Sequence, residues 1–263
     1  MFVNVKQHRV FYADGGIAFD PAKPTLVFIH GAGMDHTVWT LFTRYFARHG
    51  HNVVALDLPG HGRSPGDPLP SIEAMAAWVL VVLEKMQIEQ AVLAGHSMGS
   101  LVALQAASSA RVSKLALLGF SYPMQVGPPL LEAARKNEHA AIEMLMIWGH
   151  DHLAQIGGNA LPGMGIITPI QRIVERAAPD VLFTDLNACH TYTGGVAAAA
   201  SVHDGVHLIL GDRDRMTPLK GARAFLPNFR QAELTLLKDC GHGMLEERPE
   251  ETFQALAAIV QTR

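Results

Sequence analysis

A chain of 263 residues that is 49% hydrophobic and only 17% charged can bury one sizeable core with room for an insertion. A formal net charge of −3, with no basic run and no acidic tail, excludes the electrostatic footprint of a nucleic-acid or anionic-membrane binder. The longest strongly apolar stretch, residues 76–83, is too short to cross a bilayer, and residues 1–8 alternate like a strand rather than forming a charged leader. These features predict a cytoplasmic protein that meets neither nucleic acid nor membrane, with Cys189 and Cys240 unpaired. Homo-oligomerisation is left open.

In chain order, strands are predicted at residues 3–5, 10–13, 25–29, 52–56, 91–94, 114–118, 206–210 and 232–237. Several are nearly continuous Val, Leu and Ile, the composition of strands covered by helices on both faces. Helical periodicity lies between them at 37–49, 72–86, 97–108 and 249–260. Ser71 with Ala74 is half a capping box, and Arg248-Pro249 before an acidic first turn is a fuller start signal. Such alternation predicts a doubly wound, mostly parallel α/β sheet. The rhythm breaks from about Ser121 to Phe183. Pro123, Gly127, Pro128 and Pro129 open that stretch, helical runs follow at 130–148 and 169–177, and 157–158 and 161–165 read as loop. Met124, Met144, Met146, Trp148 and Met164 make it soft and apolar. A helical cap over the strand ends explains it, giving a core of 1–120 and 184–263 and a cap of 121–183. The plainer alternative is extra helices packed on the core.

Three motifs stand where predicted strands end, in the order nucleophile, acid, base. Gly95-His96-Ser97-Met98-Gly99 follows strand 91–94. A serine hydroxyl is a weak nucleophile at neutral pH and needs an adjacent base and a place for developing charge. Flanking glycines permit a tight strand-to-helix turn that holds Ser97 exposed. That turn puts the Met98 N–H at a helix start, where unpaired donors and the dipole favour an oxyanion. After strand 25–29, His30-Gly31-Ala32-Gly33 would bring the Ala32 N–H to the same point. Gly31 and Gly33, with Asp57 after the next strand, also mimic half of a dinucleotide fingerprint, but His36 occupies the third glycine position.

Gly211-Asp212-Arg213-Asp214 offers two carboxylates that could orient an imidazole. Spacing before Met216-Thr217-Pro218 selects Asp214 and leaves Asp212 as a turn cap or a partner of Arg213 or Arg215. His242, bracketed by Gly241 and Gly243 after the last strand, is the base, since an imidazole titrates near neutrality. His150-Asp151-His152 lacks further ligands at metal spacing and reads as solvated, and Glu246-Glu247 reads as the cap of the last helix. The segment 57–64 reads as a structural turn in which Asp57 and Arg63 pin the loop carrying His30 and Gly31. His30, His96, Met124, Met144, Trp148 and Met164 are expected to line the substrate pocket.

Together these segments closely resemble the α/β-hydrolase superfamily, over the whole chain outside the cap. The resemblance implies an eight-stranded sheet, a triad of Ser97, Asp214 and His242, an oxyanion hole from Ala32 and Met98, and no cofactor or metal. Epoxide hydrolases and haloalkane dehalogenases of that superfamily carry aspartate at the nucleophile position, so Ser97 argues against both. Members that cleave carbon–carbon bonds in aromatic degradation typically carry Asn where His96 stands and Gly where Ser100 stands. Enol-lactonases and cofactor-free haloperoxidase-like esterases remain close relatives. The Met-rich cap predicts a small, uncharged, largely apolar ester as substrate; Arg135, Arg172 and Arg176 would be the anchors of a carboxylate instead. The expectation is a serine esterase. An enol-lactonase, a carbon–carbon bond hydrolase and a ligand-sensing protein on the same scaffold are the alternatives.

Overall fold

Eight short runs rich in aliphatic and β-branched residues pair into one sheet in a computed structural model that describes residues 1–5, 8–158, 165–202 and 205–261. The strands are β1 (Phe2–Val5), β2 (His8–Ala13), β3 (Thr25–Ile29), β4 (Asn52–Leu56), β5 (Ala91–His96), β6 (Val112–Leu118), β7 (Val206–Gly211) and β8 (Ala232–Leu237). Their order across the sheet is β1-β2-β4-β3-β5-β6-β7-β8. β1 pairs antiparallel with β2 and β2 antiparallel with β4; every later pairing is parallel.

The parallel strands β3 and β4 are buried at every position because helices cover both faces. Alternate residues feed opposite layers. Val27 and Ile29 pack with α2 (Ile72–Lys85) and α3 (Met98–Ala106), while Leu26 and Phe28 pack with α1 (Thr40–Arg48) and α12 (Pro249–Gln261). On that second face Phe28 stacks on Trp39 at 4.6 Å, and burial of such a side chain contributes about 1.5–3 kcal/mol. The Ser71 hydroxyl caps α2 by accepting from Ala74 N at 3.2 Å.

The remaining helices are α4 (Pro128–Arg135), α5 (His139–Gly149), α6 (His152–Gln155), α7 (Ile167–Glu175), α8 (Val181–Thr191), α9 (Gly195–Ala200), α10 (Leu219–Phe225) and α11 (Met244–Glu247). The run expected at 130–148 is two helices, because Asn137 turns left-handed (φ 54°) and ends the first. The break expected at 183 falls inside α8. Residues 161–164, including Met164, lie outside the described residues. Between β3 and β5 the chain reverses its direction of travel across the sheet, and open α/β sheets hold their crevice at the carboxyl ends of such a pair.

Candidate active site

Ser97 follows β5 at that crevice, in a left-handed conformation (φ 54°) that starts α3. A β-carbon on Gly95 would lie 2.0 Å from the Gly99 carbonyl oxygen, and one on Gly99 would lie 2.3 Å from the Ile29 oxygen. The motif's glycines therefore let β3, β5 and α3 meet at distances no side chain permits. Ser97 N donates to Leu118 O of β6 at 2.9 Å, and the Ser100 hydroxyl donates to Ser97 O at 2.5 Å. A strained backbone held from both sides presents the Ser97 side chain to the crevice.

His242 sits in the turn after β8, its ring so close to the end of β6 that a β-carbon on Gly119 would lie 2.9 Å from Cε1. His242 Nδ1 donates to Asp214 Oδ2 at 2.8 Å, with the Thr217 hydroxyl 2.6 Å from the same oxygen and 3.0 Å from Nδ1. Asp214 Oδ1 accepts from the Met216 and Thr217 amides, both at 2.8 Å. Burial alone would raise the Asp214 carboxyl, but the His242 ring and the Thr217 donors hold it below its ordinary value. Asp212 instead turns away, accepting from Cys240 N at 3.4 Å and pairing with Lys238 at 3.5 Å. The Nδ1 bond leaves His242 Nε2 as the ring's free lone pair. Ser97 Oγ makes no hydrogen bond among the described residues; hydroxyl and imidazole meet as walls of one cavity of about 50 Å³.

Ala32 lines both cavities with Ser97 and Met98 follows Ser97 at the start of α3, and neither amide donates to a protein acceptor among the described residues. The next amide, Gly33 N, donates at 2.8 Å to Asp185 Oδ2 on α8, and His61 Nε2 donates to that same oxygen at 2.8 Å. Asp57, fully buried, accepts from His36 N, His36 Nδ1 and Arg63 N, so it ties the 57–64 turn to the loop after β3 as expected. Arg63 contributes its backbone there, its guanidinium lying 4.2 Å from the Phe11 ring centre. Asp35, His36 and Asp57 form the one cluster of metal-ligating type among the described residues, and those hydrogen bonds account for it.

The expected pocket residues divide. His96 lines the small cavity and donates from Nε2 to His242 O at 2.9 Å; burial and the nearby His242 push it down to about 3. Met124 and Trp148 line a second cavity of about 210 Å³ that shares Ala32, Ser97, Leu186 and Met216 with the first. His30 lines neither. It is fully buried, donates from Nδ1 to Gly31 O at 2.9 Å and accepts at Nε2 from Leu58 N at 3.2 Å; burial and His61 lower it to about 4. Met144 packs against the cluster of Leu130, Ala133, Ala134, Ala141 and Leu186 instead. Arg135, Arg172 and Arg176 pair with Glu132, Glu175 and Asp35 at the surface and line neither cavity beside Ser97.

Two expectations are overturned. His150 and Asp151 are buried, not solvated; Asp151 caps α6 and pairs with Arg213 at 3.1 Å. Glu246 and Glu247 belong to their own short helix before α12. Glu247 Oε2 accepts from Gly241 N at 3.0 Å and Asp151 N at 3.1 Å, and Glu246 lines the small cavity. Thr217, Asp185 and these two glutamates are site residues that pattern reading passes over: none sits in a motif with its own backbone signature.

Residues 26–255 match the family model described as the alpha/beta hydrolase family, and the chain belongs to that family. It is 28% identical over 255 residues to a pimeloyl-[acyl-carrier protein] methyl ester esterase of Aromatoleum aromaticum, covering 91% of this chain and 99% of the relative. It is 32% identical to the sn-1-specific diacylglycerol lipase ABHD11 of Danio rerio, covering 90% and 78%. The fold is shared with an enol-lactonase from Burkholderia xenovorans LB400, at TM-score 0.85, 18% identity and full coverage of both chains.

Proposed function

We propose that this chain is a serine carboxylic ester hydrolase in which Ser97 is the nucleophile, His242 the base, Asp214 its orienting carboxylate, and the Ala32 and Met98 amides the oxyanion hole. The observation that carries the reading is the His242–Asp214 bond of 2.8 Å, with Ser97 facing the same cavity from a strained turn. Asp214 fixes the Nδ1–H tautomer, so Nε2 accepts the Ser97 proton as Oγ attacks the ester carbonyl. The two unspent amides stabilise the tetrahedral oxyanion, each contributing on the order of 3 kcal/mol. His242 returns the proton to the leaving alcohol, and a water deprotonated at the same Nε2 releases the acid. A gap between Ser97 and His242 suits this route, because catalytic hydrogen bonds are often long without substrate and tighten on binding.

The substrate class is small and largely apolar: Met124, Val126, Leu130, Trp148 and Leu186 wall the larger cavity, beneath a cap assigned to 121–183. The methyl ester esterase relative supports an ester, and the free, buried Cys189 and Cys240 fit a reducing cytoplasm. A lactone is an ester closed on itself, and the same steps would open it; the ratio of lactone to linear-ester rates separates the two. Turnover also separates an enzyme from a ligand sensor on this scaffold. Ser97→Ala should lower kcat on p-nitrophenyl butanoate by about six orders of magnitude. Hydrolysis persisting at the unsubstituted rate would refute the assignment.

A further inference from the structure

The small cavity beside Ser97 has Met34, Leu145, Met146, Ile170 and Met216 in its wall, and His150 and Glu246 also line it. His150 is 5% exposed and donates from Nδ1 to Met146 O at 2.9 Å. That bond makes its Nε2 a lone-pair acceptor, and this buried atom has no partner. Glu246 stands across Gly243 from it. A β-carbon on Gly243 would lie 2.8 Å from His150 Nε2 and 3.3 Å from Glu246 Oε2, so both polar atoms converge on a space that glycine keeps open. The Glu246 side chain is half-buried, its carboxyl beside its own backbone N–H, and no ion pair joins it to His150 among the described residues. Leaving the buried His150 Nε2 unmatched costs free energy unless a ligand satisfies it.

Desolvation, with Glu247 beside it, pushes Glu246 up to about 8, which favours the protonated carboxyl at neutral pH. Burial and the neighbouring His242 ring lower His150, which stays neutral. A carboxyl O–H that donates beside an imidazole nitrogen that accepts is complementary to a hydroxyl, which does one of each. An ammonium offers no acceptor to the carboxyl, and an alkyl group satisfies neither. The cavity of about 50 Å³ exceeds the about 10–15 Å³ that one water needs, so a small polar group fits within it.

We propose that His150 and Glu246 form a hydroxyl-binding subsite beside Ser97, so that the preferred ester or lactone carries an alcohol close to its carbonyl. The inference rests on the esterase reading and adds the substrate feature that this end of the site selects. Beside Ser97, His242 and the His96 ring tied to His242 O, these two side chains supply the cavity's remaining polar groups.

The test uses esters matched in shape, with hydroxyl replacing methyl: methyl 3-hydroxybutanoate against methyl 3-methylbutanoate, and 2-hydroxyethyl butanoate against propyl butanoate, followed by acid release. In at least one pair the unsubstituted protein should favour the hydroxyl member in kcat/KM by about tenfold or more. Glu246→Leu and, separately, His150→Phe should bring that ratio to within about threefold of unity, whereas Glu246→Gln, which keeps an N–H donor, should retain part of it. Thermal unfolding checks that each variant is folded, and either one suffices for the comparison. Equal or inverse preference in both pairs, or a preference that survives Glu246→Leu, overturns the subsite and leaves the esterase reading standing. No hydrolysis of any of the four esters by folded protein overturns both.

Discussion

Asp214 and Asp212 lie two residues apart and differ in every contact, which makes them an internal control for the base's orientation. Asp214 accepts from two amides, a hydroxyl and the imidazole; Asp212 accepts from Cys240 N and faces Lys238. Asp214→Asn should lower kcat by about four orders of magnitude, because an amide can present N–H to Nδ1 and favour the wrong tautomer. Asp212→Asn should stay within about twofold of the unsubstituted protein, since surface contacts of this kind carry little. Equal losses in the two variants would remove Asp214 from its role. Buried histidines set a second expectation. His30 and His96 are lowered to about 4 and about 3, so between pH 6.5 and 4 the unfolded chain binds protons that the folded chain does not. Stability therefore falls as pH falls through that window, by on the order of 3 kcal/mol for each group at its lower end. His61, raised by Asp185 against the effect of burial, works the other way: its contribution is present at low pH and is lost as pH rises through its folded value. His96→Asn keeps an N–H for His242 O and removes one titration. Urea unfolding at pH 4.5 and 7.5 should then show a shallower pH dependence, and an unchanged slope would contradict the assignment.

At the scale of elements, the legible part of the sequence was the part whose pattern comes from backbone geometry. All eight strands lie close to where they are predicted: β3, β4, β5 and β7 are parallel and buried at every position, so they read as near-continuous apolar runs, whereas the antiparallel β1 is legible by its alternation. Ser97 was legible for the same reason: Gly95 and Gly99 mark a crossing that no larger residue allows. Helices α8, α9 and α10 were hidden. Ala-rich, mixed or short, they are held by what they pack against rather than by an apolar stripe of their own. The polar wall of the small cavity was hidden too, since a solvated and a buried His150 look alike in sequence and no motif there places Glu246 beside it. The crossing itself can be tested. Gly99→Ala must push α3 away from the Ile29 carbonyl and should destabilise by more than about 3 kcal/mol in denaturant unfolding. Ala103→Gly, on the same helix but without that contact, should cost about 1 kcal/mol. Similar losses for the two would mean that the crossing is looser than the 2.3 Å approach implies.

Across the whole molecule, the loop bearing Ala32 is held in place from outside the sheet. Asp185, fully buried on α8, accepts from Gly33 N and His61 Nε2 through one oxygen, while its other oxygen has no partner. His61 in turn donates from Nδ1 to Pro59 O, and its ring lies 4.8 Å from that of His30, so one carboxylate gathers the loop after β3, the turn after β4 and α8. Gly33 N is the amide next to the Ala32 donor proposed for the oxyanion. Asp185→Ala would strand a buried imidazole and release that loop, and removal of one partner from a buried pair costs about 3–5 kcal/mol. The expected signature is a lowered thermal midpoint together with a kcat loss of about tenfold or more and a smaller change in KM, because a displaced donor weakens the transition state more than the bound ester. Asp185→Asn retains an acceptor oxygen for Gly33 N and should recover most of kcat even where stability remains reduced. An alanine variant that unfolds earlier yet turns over at the full rate per folded molecule would show that Asp185 fastens the helix without aiming the oxyanion loop.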